Sequence, residues 1–124
     1  MGWNFVSDRP IYTQLLEQIQ QRIITGMYGP GDKLPPVREL ALEAGVNPNT
    51  MQKALAELER TGLIHAQRTT GRFVTEDEQM IGDCRQQLAV AKIEEFVRTM
   101  QDLGYDRTEL LALMQRQQMT ERGE

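Results

Sequence analysis

Residues 34–62, LPPVRELALEAGVNPNTMQKALAELERTG, decide how this chain reads. Val37, Leu40, Ala41 and Ala44 recur at i, i+3, i+4 and i+7, the stripe of a helix buried on one side. Gly45 stops that helix, because glycine accepts the positive φ that a helix C-cap commonly needs. Asn47 and Pro48 open a second helix as N-cap and first helical residue. Met51, Ala54, Leu55 and Leu58 line its inner face, and Gly62 ends it. Its first turns are left with Asn49, Thr50, Gln52 and Lys53 outside, side chains that hydrogen-bond to bases and phosphates. The pattern is helix-turn-helix.

The flanking segments complete the unit. After Gly62, LIHAQRTTGRFVTED places Leu63-Ile64 and Phe73-Val74 on either side of a polar tip containing glycine, the pattern of a β-hairpin. A hairpin directly after a recognition helix is a wing, spanning 65–74, with Arg68 and Arg72 on either side of Gly71. Upstream, Pro10 is expected at the first position of a core helix whose stripe is Ile11, Leu15, Ile19 and Ile23, closed by Gly26. MYGPGDKLPP fixes a turn and a short extended segment near Lys33 and Leu34. Residues 1–9 form an arm whose Trp3 and Phe5 are expected to pack locally or against a partner subunit.

From Glu76 the chain has no proline and only three glycines, so helix is the expected state there. Met80, Leu88, Ala91, Phe96, Met100 and Leu103 mark one long helix, with Gly82 at its fraying start and Gly104 at its end. Asp106 and Glu109 form a capping box for a final helix. Two such helices cannot bury both apolar faces on each other, and the surplus points to a symmetric dimer. The expected architecture is mainly α with a small β-wing: a winged helix-turn-helix domain over 9–76 and a two-helix dimerisation tail over 77–124.

Charge does not exclude nucleic acid. The net charge is −4, but residues 1–75 carry eight Lys/Arg against seven Asp/Glu, and the remainder six against eleven. Within 45–75 the balance is four basic to two acidic, and phosphate binding needs a local basic face rather than a basic protein. No apolar run approaches the roughly 18 residues of a membrane helix. A single cysteine, Cys84, makes no internal disulfide and suits the cytoplasm.

The segments PIYTQLLEQIQQRIITG, YGPGDKLPPVRELA, GVNPNTMQKALAELERTGLI and RTTGRFV together resemble the GntR family of bacterial winged-helix transcription regulators, over roughly residues 9–75. The short two-helix tail and the AsnProAsnThr start of the recognition helix are similar to the YtrA-like subfamily, whose C-terminal region dimerises. The resemblance implies that Arg38 touches DNA and that the target is an operon of the transporter type. Two departures stand out. Pro36 replaces the serine many members have at the start of the second helix, where proline suits the first helical position but brings no capping hydroxyl, and Pro48 replaces an arginine early in the recognition helix. Base reading is thereby moved toward Asn49, Gln52 and Lys53.

The expected DNA-binding set is Arg38, Asn47, Asn49, Thr50, Gln52, Lys53, His65, Arg68, Thr69, Thr70, Gly71 and Arg72. On an arbitrary helix, Asn49 to Lys53 would be ordinary solvated surface; a capped helix between a turn glycine and a wing favours DNA. Arg68 and Arg72 fit either phosphate contact or simple solubility. One histidine and one cysteine make no metal site, and no nucleophile–base pattern or phosphate loop appears, so no enzyme, cofactor or metal is expected. The expectation is a cytoplasmic, homodimeric repressor on a roughly palindromic operator, with helix 48–60 in the major groove. A winged-helix interaction adaptor, or a ligand-responsive regulator with a pocket at the dimer interface, are the competing readings.

Overall fold

The computed structural model describes residues 2–122. In order these form α1 (Ile11–Ile24), α2 (Val37–Ala44), α3 (Pro48–Thr61), β1 (Ile64–Gln67), β2 (Gly71–Val74), α4 (Glu78–Asp102) and α5 (Arg107–Arg122). They fall into two compact units, one running up to Arg85 and one from Gln86 onward.

The first unit is built around α3. Met51, Ala54, Leu55 and Leu58 are wholly excluded from solvent. Leu15, Ile19 and Ile23 of α1 and Leu40 and Ala41 of α2 pack in the same cluster. Ile11, expected in the α1 stripe, is 42% exposed instead, because it lies in the opening turn beyond the edge of that cluster. Pro10 and Pro36 stand one position earlier than expected, as N-caps rather than first helical residues; their carbonyls accept from Gln14 N–H at 3.3 Å and Leu40 N–H at 3.0 Å.

Both helices of the central motif end in the same way. Gly45 has φ 70°, and the N–H groups of Gly45 and Val46 donate to the carbonyls of Leu42 and Ala41. Gly62 has φ 87°, with Gly62 and Leu63 donating to Glu59 and Leu58. This paired arrangement satisfies carbonyls left over at a helix end and turns the chain sharply, a conformation that strains residues carrying a Cβ.

The wing pairs in the antiparallel register Ile64↔Val74, His65↔Phe73, Ala66↔Arg72 and Gln67↔Gly71. Residues 31–34 run along the far edge of β2, where Val74 N–H donates to Asp32 O and Leu34 N–H donates to Arg72 O, both at 2.9 Å. The extended segment expected near Lys33 therefore acts as a short third strand.

The arm lies on α1. Gln14 and Gln18, one helical turn apart, each accept a backbone N–H and return their own amide N–H, to Val6 and Asn4 respectively. Trp3 and Phe5 pack against the core, and the Arg22 guanidinium lies 3.8 Å over the Trp3 ring. The local packing expected of these aromatics is present.

α4 starts at Glu78, upstream of Gly82, which therefore lies inside the helix rather than at a frayed start. The cause is Asp77, whose carboxylate accepts the N–H groups of Gln79 and Met80. Met80, Ile81 and Cys84 pack partly on the first unit's core. In the second unit, the capping box forms: Asp106 N–H donates to Glu109, and Glu109 N–H donates to Asp106 at 2.8 Å. Leu110 is buried there, while Ile93, Phe96, Leu103 and Leu111 stay exposed.

Leu55→Ala is expected to lower unfolding stability by about 2–5 kcal/mol through loss of buried contacts and the cavity left behind. Leu42→Ala on α2, a side chain 84% exposed, should change it by no more than about 0.5 kcal/mol. Urea titration followed by circular dichroism measures both.

Candidate nucleic-acid interface

The outward face of α3 follows from its inward one. With Met51, Leu55 and Leu58 buried, a period of 3.6 residues leaves Asn49, Gln52 and Lys53 exposed on one side, with Ala56 a turn further on. Thr50, between the two faces, is half-buried. Asn47 starts the helix by accepting the Asn49 N–H through its side-chain oxygen at 2.7 Å. That oxygen is thereby committed to the cap, leaving the amide N–H groups to face outward.

The rest of the face is electrostatically quieter than the sequence implies. Arg60 makes a bidentate pair with Glu57, its Nε donating at 2.9 Å. Their hydrogen bonding holds the Glu57 carboxyl below its ordinary range and pushes the Arg60 guanidinium up. Arg72 Nε donates to Glu59 Oε2 at 3.1 Å, with the two side chains only 22% and 28% exposed. Both acids of the segment thus neutralise a neighbouring arginine. Lys53, Arg38 and Arg68 are exposed, and among the described residues no ion pair ties them down. An open groove of about 490 Å³ runs beside Lys53, lined also by Tyr12, Ala56, Glu57 and Arg60.

At the wing, Arg68, Thr69 and Thr70 are exposed at the turn, and Thr70 N–H donates to Gln67 O at 3.2 Å. The His65 ring stacks on Phe73 with centroids 6.1 Å apart, so it stiffens the hairpin while remaining exposed. The structure therefore brings Asn49, Gln52 and Lys53 together on one helix face and Arg68, Thr69 and Thr70 together on one turn. It draws Arg72 back from the tip onto α3. It also adds Lys33, whose side chain passes beside Gly71, and Glu59, the partner of Arg72. Neither carries a local sequence signal, since each acts on an element distant along the chain.

Cys84 is partly buried, and burial pushes its thiol up, away from the reactive thiolate form. Among the described residues no three His, Cys, Asp or Glu side chains stand together as a metal site would need. No helix of the described residues is long and apolar enough to cross a membrane.

A polar, capped helix face beside a two-stranded wing defines a winged helix-turn-helix DNA-binding protein. Comparison with known proteins gives its family. The profile described as "Bacterial regulatory proteins, gntR family" matches residues 11–74, and the chain belongs to that family. It is 39% identical to the HTH-type transcriptional regulator YhcF of Bacillus subtilis, over 90% of this chain and 92% of YhcF. It is 46% identical to the HTH-type transcriptional repressor YtrA of the same organism, over 57% of this chain and 55% of YtrA. Among solved structures, a GntR family regulator from Listeria monocytogenes superposes with a TM-score of 0.81 at 40% identity, covering 90% of this chain and 98% of that one. The AraR DNA-binding domain, solved in complex with operator ORX1, superposes with a TM-score of 0.54 at 29% identity, over 60% of this chain and 99% of that domain. The protein is a GntR-family DNA-binding transcriptional regulator and not an enzyme.

Asn47→Ala is expected to cost about 1 kcal/mol of stability, because the Asn49 N–H loses its acceptor. Asn47→Ser or Asn47→Asp should recover most of it. Urea denaturation of the three variants checks the cap.

Proposed function

We propose that the protein is a cytoplasmic, homodimeric repressor acting on a roughly palindromic operator. Residues 9–76 serve as the DNA-binding domain, and residues 77–124 join two copies. Helix residues 48–60 enter the major groove, and wing residues 65–74 rest on the flanking backbone and minor groove. Asn49 and Gln52 read base edges, Lys53 reaches guanine or phosphate, and Arg38, Arg68, Thr69 and Thr70 hold the backbone. The single observation that carries this reading is the uncommitted polar stripe of Asn49, Gln52 and Lys53 on a helix whose other side is fully buried. The repressor sense and the transporter-type operon follow the likeness to YtrA and the family resemblance. The exposed apolar side chains of the second unit, Ile93 at 59% and Phe96 at 44% among them, support dimerisation.

Lys53→Ala is expected to lower affinity for a duplex selected by the protein from a random-sequence pool by about 1–3 kcal/mol. Its affinity for random duplex should fall far less. A wild-type protein with no preference among duplexes, or with binding indifferent to salt, would sink the reading.

Phe96→Glu is expected to leave helix content unchanged and to convert the dimer to a monomer in analytical ultracentrifugation. Operator affinity should fall with it, because one half-site replaces two. Retention of a dimer by this variant and by Ile93→Glu would place the partner contact elsewhere.

A further inference from the structure

We infer that the wing meets DNA with Lys33 and Arg68, while Arg72 is a positioning residue that fixes the wing to the recognition helix through Glu59. The inference deepens the DNA-binding reading above and rests on it.

Arg72 lies on β2 opposite Ala66, and Glu59 lies in the last turn of α3. Their 3.1 Å bond therefore joins the two DNA-facing elements. Nearly four-fifths of the Arg72 side chain is covered, and its charge is balanced by the carboxylate it touches. As a unit, the pair brings no net charge to the phosphates. Pulling Arg72 away toward DNA would leave an unpaired, largely covered carboxylate beside a polyanion. What the pair does supply is orientation, because it sets the angle of β2 against α3.

Lys33 has the opposite circumstances. It is exposed, and its backbone bridges Phe73 from the free edge of β2. Its Cε lies 3.1 Å from the point that a Cβ on residue 71 would occupy, and its Nζ lies at 4.0 Å. Gly71, at φ 116°, leaves room for the lysine stem to cross the wing. Among the described residues, no ion pair or hydrogen bond holds its ammonium. The chain thus carries an unneutralised cation to the wing from the segment before α2.

The test measures binding of the full chain to the pool-selected duplex over a fourfold rise in salt. Each phosphate contact contributes about 0.9 to the slope of log affinity against log salt. K33A and R68A are each expected to lower the slope by about that amount, so that each variant loses about 3.5-fold less affinity across the range. The double variant R72A/E59Q removes the pair without leaving a bare charge, so it is expected to keep the wild-type slope while weakening binding. A partly misfolded preparation loses active molecules without changing the slope, so the slope is readable for every variant. A double-variant slope lower by about 0.9, an unchanged K33A slope, or tighter binding by the double variant would each overturn the inference. Failure of the wild type to select any duplex would instead overturn the underlying DNA-binding reading.

Discussion

What α3 shows to the outside depends on what it buries. Met51, Ala54, Leu55 and Leu58 are excluded from solvent by α1, α2 and the base of the wing. A rotation of the helix that exposed one of these side chains would sacrifice about 1.5–3 kcal/mol of burial. No outward contact among surface polar groups offsets that. The direction in which Asn49, Gln52 and Lys53 point is thus set by apolar packing on the opposite side. The Asn47 cap and the Gly62 terminus then fix where the presenting face begins and ends.

A second constraint is electrostatic economy. The winged-helix region is nearly neutral, and its acids are not scattered at random. Glu57 and Glu59 each hold an arginine that a count of charges would assign to DNA. The cations left exposed and, among the described residues, unpaired there, Lys33, Arg38, Lys53 and Arg68, lie on separate elements: the segment before α2, α2 itself, the opening turns of α3, and the wing turn. Few phosphate contacts imply shallow salt dependence and weak non-specific binding. A larger share of discrimination then falls to polar groups at base edges.

In the arm, polar side chains substitute for a strand; at the wing edge, a turn's own backbone does. Gln14 and Gln18 pair with the backbone of residues 4 and 6 much as a neighbouring strand would. Gln14 is 2% exposed, although glutamine within an amphipathic helix reads as solvent-facing. Residues 31–34 extend the wing sheet in the same economical way, so the turn rich in glycine and proline has a structural partner.

The order of helices, the position of the turn, the hairpin and the capping box at Asp106 were all legible in the residues. Each depends on interactions within a few positions along the chain: periodic burial, a cap two or three residues away, a glycine at a helix end. Besides Ile11 at the edge of the core, two kinds of detail depart from the local pattern. Pro10 and Pro36 lie one position off, because proline suits both the cap and the first turn, and only hydrogen bonds distinguish them. Gly82 lies inside α4 because Asp77 caps upstream of it. Local sequence therefore determined the winged helix-turn-helix and the polar face of its recognition helix. Only tertiary structure decided which cations that surface keeps. The pairing of Arg72 with Glu59 and the passage of Lys33 across Gly71 join segments far apart in the chain, and no local pattern encodes a distance between them.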